Sequence, residues 1–227
     1  MTNKNHALFI FTKKTPWMQR ISDLVRSGHH HYIQGQIDPT KVKYLAQKFS
    51  TIYETGLSKL EQSRKRKKGS ASFRFLAWHD EQNNIVHWIL SRTDGEIPKE
   101  GGRESWQDAT SKNRIHIVGG YELVRLTKPD EPKPTWTWRY SKTHIQDLRD
   151  SVIRSIRNRR DDLLRQLIYE IWRTPGFAGA RSQVKAIALL IKNEWQRSRS
   201  GFELPEIPTR LGYIRRIRDV GYLIKYT

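Results

Sequence analysis

The spacing of apolar residues changes repeatedly over the first sixty positions, and that alternation limits the chain to folds that mix strands with helices. Ala7 to Phe11 is a continuous apolar run with aromatic and β-branched residues, which predicts a buried strand. Thr15-Pro16 then supplies a cap and a proline at the first helical position, and Trp17, Ile21, Leu24 and Val25 recur at helical spacing up to Gly28. His29 to Ile37 reads as a second strand. Asp38-Pro39 repeats the start signal, after which Val42, Leu45, Phe49, Ile52, Tyr53, Leu57 and Leu60 hold one apolar stripe, the pattern of a single long helix. The chain therefore opens β-α-β-α.

From Gly69 the period falls to two. Ser72 to Trp78 and Ile85 to Arg92 predict strands joined by a polar connector of hairpin type. Arg114 to Leu126 is a strand signal broken by Gly119-Gly120, which predicts a bulge or a tight bend. Thr135 to Tyr140 alternates strictly, with Trp136, Trp138 and Tyr140 on one face. From Ser141 the sequence turns helical: Ile145, Leu148, Val152, Ile156, Leu163, Leu167 and Ile171 mark one long helix that Pro175-Gly176 ends. A second helix follows from about Ala180 to Arg199. The expected class is α+β, a mixed sheet domain with aromatic strands over residues 1–140. A helical hairpin and a basic-aromatic tail over 141–227 follow, the tail free to pack back on the sheet.

Charge narrows the range of partners. Lys and Arg number 42 against 23 Asp and Glu, a formal charge of +19 that far exceeds what solubility requires. A membrane surface would call for an amphipathic helix of strong moment beside the cations, or a lipidation signal; neither stands at the ends of this sequence, so no membrane partner is expected. The absence of cysteine excludes disulfides, thiol catalysis and Cys-ligated zinc, and agrees with a reducing compartment. No run of about 18 apolar residues and no signal-peptide core occurs. A cytoplasmic protein that binds nucleic acid is the expectation.

Candidate contacts fall in several groups. Arg64, Lys65, Arg66, Lys67 and Lys68 are consecutive, with Lys59 just before, and suit phosphates spaced along a strand. Cations closing a helix are also favoured by its dipole, though one or two suffice for that. Arg149, Arg154, Arg157 and Arg160 populate the long predicted helix; Arg149, Arg157 and Arg160 lie within one face, where Asp147, Asp150, Asp161 and Asp162 offer a competing role as local ion pairs. Leu163 to Arg197 has a helix-turn-helix outline whose second helix carries Arg181 and Lys185, an outline shared by ordinary helical hairpins. Arg74 lies between Phe73 and Phe75, and Arg139 between Trp138 and Tyr140, so these strands are either base-stacking platforms or core. Arg215, Arg216 and Arg218 complete the set in the tail.

The chemical candidates centre on His29-His30-His31. Strand alternation would put His29 and His31 on one face, where two imidazoles can share a divalent ion. The segment is similar to the His-hydrophobic-His strand of rolling-circle initiators and relaxases. That resemblance implies a metal polarising the scissile phosphate and a tyrosine on the next helix attacking it, here Tyr44 or Tyr53. The middle residue of the motif is His30 rather than an apolar one, and Tyr53 also belongs to the apolar stripe. No cofactor is expected unless this nuclease chemistry holds, in which case Mg²⁺ or Mn²⁺ is required. No Walker loop and no GxGxxG occur.

FIFTKK, HHHYIQGQI, RKRKKGSASFRFLAW, WILSRTDGE, GYELVRL, WTWRY and GFAGARSQVK together resemble basic DNA-processing proteins of plasmids and integrative conjugative elements. The resemblance implies an accessory or initiator factor of replication or conjugative mobilisation, DNA ahead of RNA, and other proteins of a nucleoprotein complex as further partners. A tyrosine-type single-strand nuclease is the enzymatic alternative. The third reading is an RNA-binding or RNA-processing component of a CRISPR-type ribonucleoprotein.

Overall fold

The computed structural model describes residues 6–99, 104–127 and 133–226, and these form a mixed α+β protein. The chain divides after Arg114 and again after Arg215 into two compact units, so that residues 115–215 are inserted into the sequence of the first unit. The expected boundary at residue 140 therefore shifts, because the strands predicted between 114 and 140 pack with the helices that follow them rather than with the strands that precede them.

The first unit contains β1 (His6–Phe11), α1 (Lys14–Arg26), β2 (His31–Ile37), α2 (Val42–Tyr53), α3 (Lys59–Lys67), β3 (Phe73–Asp80), β4 (Ile85–Arg92) and β5 (Gln107–Asp108). The strand at Gly221–Tyr226, labelled β9 in chain order, returns to it from the tail. The sheet runs β5-β2-β4-β3-β1-β9, with β1 parallel to β3 and the remaining pairs antiparallel. Alternation gives the sheet two faces. Leu8, Ile10, Phe73, Phe75, Ala77, Val86 and Leu90 face α2, whose Val42, Ala46, Phe49 and Tyr53 complete a core cluster. On the opposite face α1 buries Trp17, Met18, Ile21 and Val25, with Trp17 against Trp78.

Two local starts and stops differ from expectation. Helix α1 begins at Lys14, with Lys13 as a cap residue that makes no side-chain bond, so Thr15-Pro16 lies inside the first turn, where a proline removes no helical hydrogen bond. The stripe from Val42 to Leu60 belongs to two helices. Glu54 ends α2 in the left-handed region at φ 52°, and Ser58 and Glu61 form a capping box that starts α3. Leu60 is consequently exposed. The Asp38 side chain accepts from the Thr40 amide at 2.8 Å, as the cap-plus-proline signal predicts.

The second unit contains β6 (His116–Ile117), β7 (Tyr121–Leu126), β8 (Thr135–Tyr140), α4 (Lys142–Arg157), α5 (Asp161–Trp172) and α6 (Ala178–Arg199). Gly119 and Gly120, at φ +84° and +72°, make the bend between β6 and β7, and a Cβ on Gly120 would strike the His144 ring. The long helix predicted to 171 is broken at Asn158–Arg160, where Arg159 adopts φ 57° and Arg160 stands at the N-cap position of α5 without a side-chain capping bond, so Arg149, Arg157 and Arg160 do not share one helix. Helices α4, α5 and α6 enclose Val152, Ile156, Leu164, Ile168, Val184, Ile187 and Trp195. Gln183 on α6 pairs with both the amide and the carbonyl of Tyr140, at 2.7 and 2.9 Å, closing that edge of β8. No described helix is long and apolar enough to cross a membrane.

Candidate nucleic-acid interface

Helix α3 carries the basic run. Its nine residues extend through Lys67, with Lys68 as the cap residue and Gly69 beyond it at φ +85°, so the run forms the last turn and not a connector. Helical rotation then separates the five cations. Lys65 pairs with Glu54. Arg66 falls on the face of Lys59 and Gln62, at positions i, i+3 and i+7, and these three line a cavity of about 790 Å³. Arg64, Lys67 and Lys68 are exposed, and none has an ion-pair partner among the described residues.

The cavity lies wholly within the first unit, on the sheet face opposite α2. Its floor includes Ala7, Phe9 and Leu76 from the parallel pair β1 and β3, and Arg74 rises from the same strand face. Helix α1 contributes Arg20, Asp23 and Leu24, while the tail contributes Arg216 and Asp219. Four of these charges compensate one another. Arg20 binds Asp219 and also Asp23 at 3.4 Å, and Arg216 binds Asp23 at 2.6 Å. Lys59, Arg66 and Arg74 have no carboxylate partner among the described residues. The Arg74 guanidinium donates to the Leu57 carbonyl at 3.3 Å, and burial and then Arg66 lower its pKa. Arg66 and Arg74 thus bring two guanidiniums without carboxylate partners to one cavity wall.

His29 belongs to this cavity as well. The Ser27 hydroxyl donates to the Leu24 carbonyl at 2.9 Å, so its oxygen accepts from Nδ1 of His29 at 3.2 Å. The proton is thereby assigned to Nδ1. Nε2 is a bare acceptor, buried and without a partner. Burial pushes the imidazole down to about 4, with Arg74 and Arg66 adding repulsion.

That depression makes stability depend on pH. Between an unfolded value of about 6.5 and the folded value the unfolded chain binds more protons, so stability falls as pH is lowered through this window. Acidification from above pH 6.5 to about 4 is expected to cost ~3 kcal/mol through His29, since a tenfold difference in proton affinity is worth about 1.4 kcal/mol. His87, whose pKa burial also lowers, acts in the same direction. The contribution of His29 is therefore read as the difference between wild type and His29→Gln in the slope of urea midpoint against pH. Parallel slopes would show that His29 titrates normally.

The other predicted residues are dispersed. His31 and His29 do not share a face: β2 begins only at His31, which pairs in register with Arg92 and lies on the side of Ile33 and the α2 cluster. Its Nε2 is held by Asp94 at 2.8 Å. Among the described residues no group of three His, Asp or Glu side chains comes together to hold a metal ion. Tyr44 is exposed on α2, whereas Tyr53 is 2% exposed and packs on Phe73 and Trp106. The structure thus buries Tyr53 on one sheet face and lines a cavity on the other with His29.

In the second unit several arginines have structural partners. Arg157 binds Glu194 at 2.7 Å, and Arg157 followed by Arg197 holds that carboxyl well below its usual range. Arg181 donates to the Leu211 carbonyl at 2.8 Å and lies 3.3 Å from the centroid of the Tyr213 ring. Arg154 reaches Ser151 at 3.5 Å; Arg149 is half-buried, and Arg160 and Lys185 are exposed. Arg215 and Arg218 are exposed in the tail. The aromatic strands are chiefly core: Phe73, Phe75, Trp138 and Tyr140 are buried and Trp136 half-buried.

Sequence reasoning missed Arg20, Phe9 and Leu76 as cavity residues, and read Arg74 only as part of a stacking strand. The signal available was the outward register of β1 and β3, which places Phe9, Arg74 and Leu76 opposite Leu8, Phe73 and Phe75. The chain matches no protein-family model, no curated protein and no solved structure.

Proposed function

We propose that the chain is a nucleic-acid-binding protein that engages the sugar-phosphate backbone through the first unit. The observation carrying this reading is the group Lys59, Arg64, Arg66, Lys67, Lys68 and Arg74 on α3 and β3, six cations of which none has a carboxylate partner among the described residues. A stability role would pair such charges with carboxylates, as Arg20, Arg157 and Arg216 are paired. The sequence resemblance to plasmid and conjugative-element proteins extends the proposal to DNA as the substrate and to an accessory or initiator role. The separation of His29 from His31 and the burial of Tyr53 favour binding over tyrosine-type nicking.

Arg64, Lys67 and Lys68 provide the test, because all three are exposed and none supports a neighbour. Their joint replacement by Ser should lower affinity for single- and double-stranded DNA alike and reduce the log–log salt slope by roughly two to three, at nearly unchanged melting temperature. Unaltered binding per folded molecule, with a large fall in melting temperature, would assign the run to helix capping instead.

A further inference from the structure

The cavity on the α1 face of the sheet differs from an ordinary cationic surface in combining two kinds of wall. One is apolar and flat: Ala7 is exposed, and Phe9 and Leu76 are half-buried, in a region of the sheet that α1 leaves open. The other is cationic, with Lys59 and Arg66 on one stripe of α3 and Arg74 projecting from β3. Its volume of about 790 Å³ falls in the range that encloses a small organic molecule, far above the space one phosphate needs. An inorganic anion would satisfy the cations and leave the apolar floor wet. A nucleotide covers both, with its phosphate on the guanidiniums and its base laid on the floor.

We infer that this cavity receives one nucleotide of a single strand, its phosphate held by Lys59, Arg66 and Arg74 and its base against Phe9 and Leu76. The inference rests on the reading of the chain as a nucleic-acid-binding protein and adds strand type and a site. A base-paired nucleotide cannot enter without leaving the stack, so duplex remains outside on Arg64, Lys67 and Lys68.

The experiment measures affinity for a 5′-phosphorylated oligothymidine, its ribo counterpart and a blunt DNA duplex at fixed salt. Two variants separate shape from charge. Lys59→Ser/Arg66→Ser removes cations from the cavity wall. Ala7→Trp fills the floor without changing charge, at a strand position open enough to admit it. Both should weaken single-strand binding by roughly tenfold or more while duplex binding changes less than about threefold. Arg64→Ser/Lys67→Ser/Lys68→Ser should weaken both together. Single-strand binding by Ala7→Trp equal to wild type, or equal losses on strand and duplex for Lys59→Ser/Arg66→Ser, would overturn the cavity assignment and leave the surface reading intact. Failure of the wild type to bind any of the three would overturn both. Should ribo and deoxy strands respond alike to Ala7→Trp, the site reads base and phosphate; loss confined to the ribo strand would overturn its assignment to DNA.

Discussion

Raising salt from about 50 to 200 mM should weaken binding of single-stranded DNA by roughly three-hundredfold. Each phosphate neutralised by Lys or Arg releases condensed counterions, and six contacts to a single strand give a log–log slope near −4. Six is the number of unpaired cations gathered on α3 and β3, namely Lys59, Arg64, Arg66, Lys67, Lys68 and Arg74. Arg20, Arg157 and Arg216 are not counted, because carboxylates at ion-pair distance already compensate them. The measurement is a fluorescence-anisotropy titration of labelled DNA at four salt concentrations. A slope near zero would remove phosphate neutralisation as the driving force, and a slope beyond about −8 would bring the second unit's Arg154, Arg160 and Lys185 into the footprint.

Trp138→Ala should destabilise the second unit by about 3 to 5 kcal/mol, lowering its melting temperature by more than about ten degrees. Trp138 is fully buried in β8, and at the same residue Gly179 brings the start of α6 so close that a Cβ there would lie 2.8 Å from the Trp138 carbonyl oxygen. So tight an approach leaves the surroundings little freedom to collapse into the space an indole vacates. Trp136→Ala, at a half-buried position, should cost markedly less. Binding of single-stranded DNA per folded molecule should survive in both. Selective loss of strand binding at unchanged melting temperature would restore β8 as a stacking platform.

The contrast between these experiments shows where sequence reading reaches. Strands β1, β3, β4, β7 and β8 follow from period-two or continuous apolar runs, and Gly119-Gly120 announces a bend, because in each case neighbouring residues carry the signal. The helix breaks at Glu54 and at Arg159 are not announced. Each uses a non-glycine residue in the left-handed region, which local propensity argues against and which packing on either side imposes. The three-histidine segment misleads for a related reason: alternation fixes faces only inside a strand, and β2 starts two residues after His29. The cavity lies furthest from the sequence. Its cations come from α3, β3, α1 and the tail, and only the sheet pairing of β1 with β3 and β9 gathers them.

The pairing of β9 with β1 also governs the order in which the molecule can be completed. On the ribosome β1 emerges long before β9, its outer backbone groups open along a strand that carries Leu8, Phe9, Ile10 and Phe11. An edge of that kind invites association between nascent chains. The strand that covers it emerges only after all of residues 115–215, a continuous stretch able to fold while the first unit waits. A chain interrupted before Gly221 would therefore lack the strand that pairs with β1 and leave the backbone groups of that edge open.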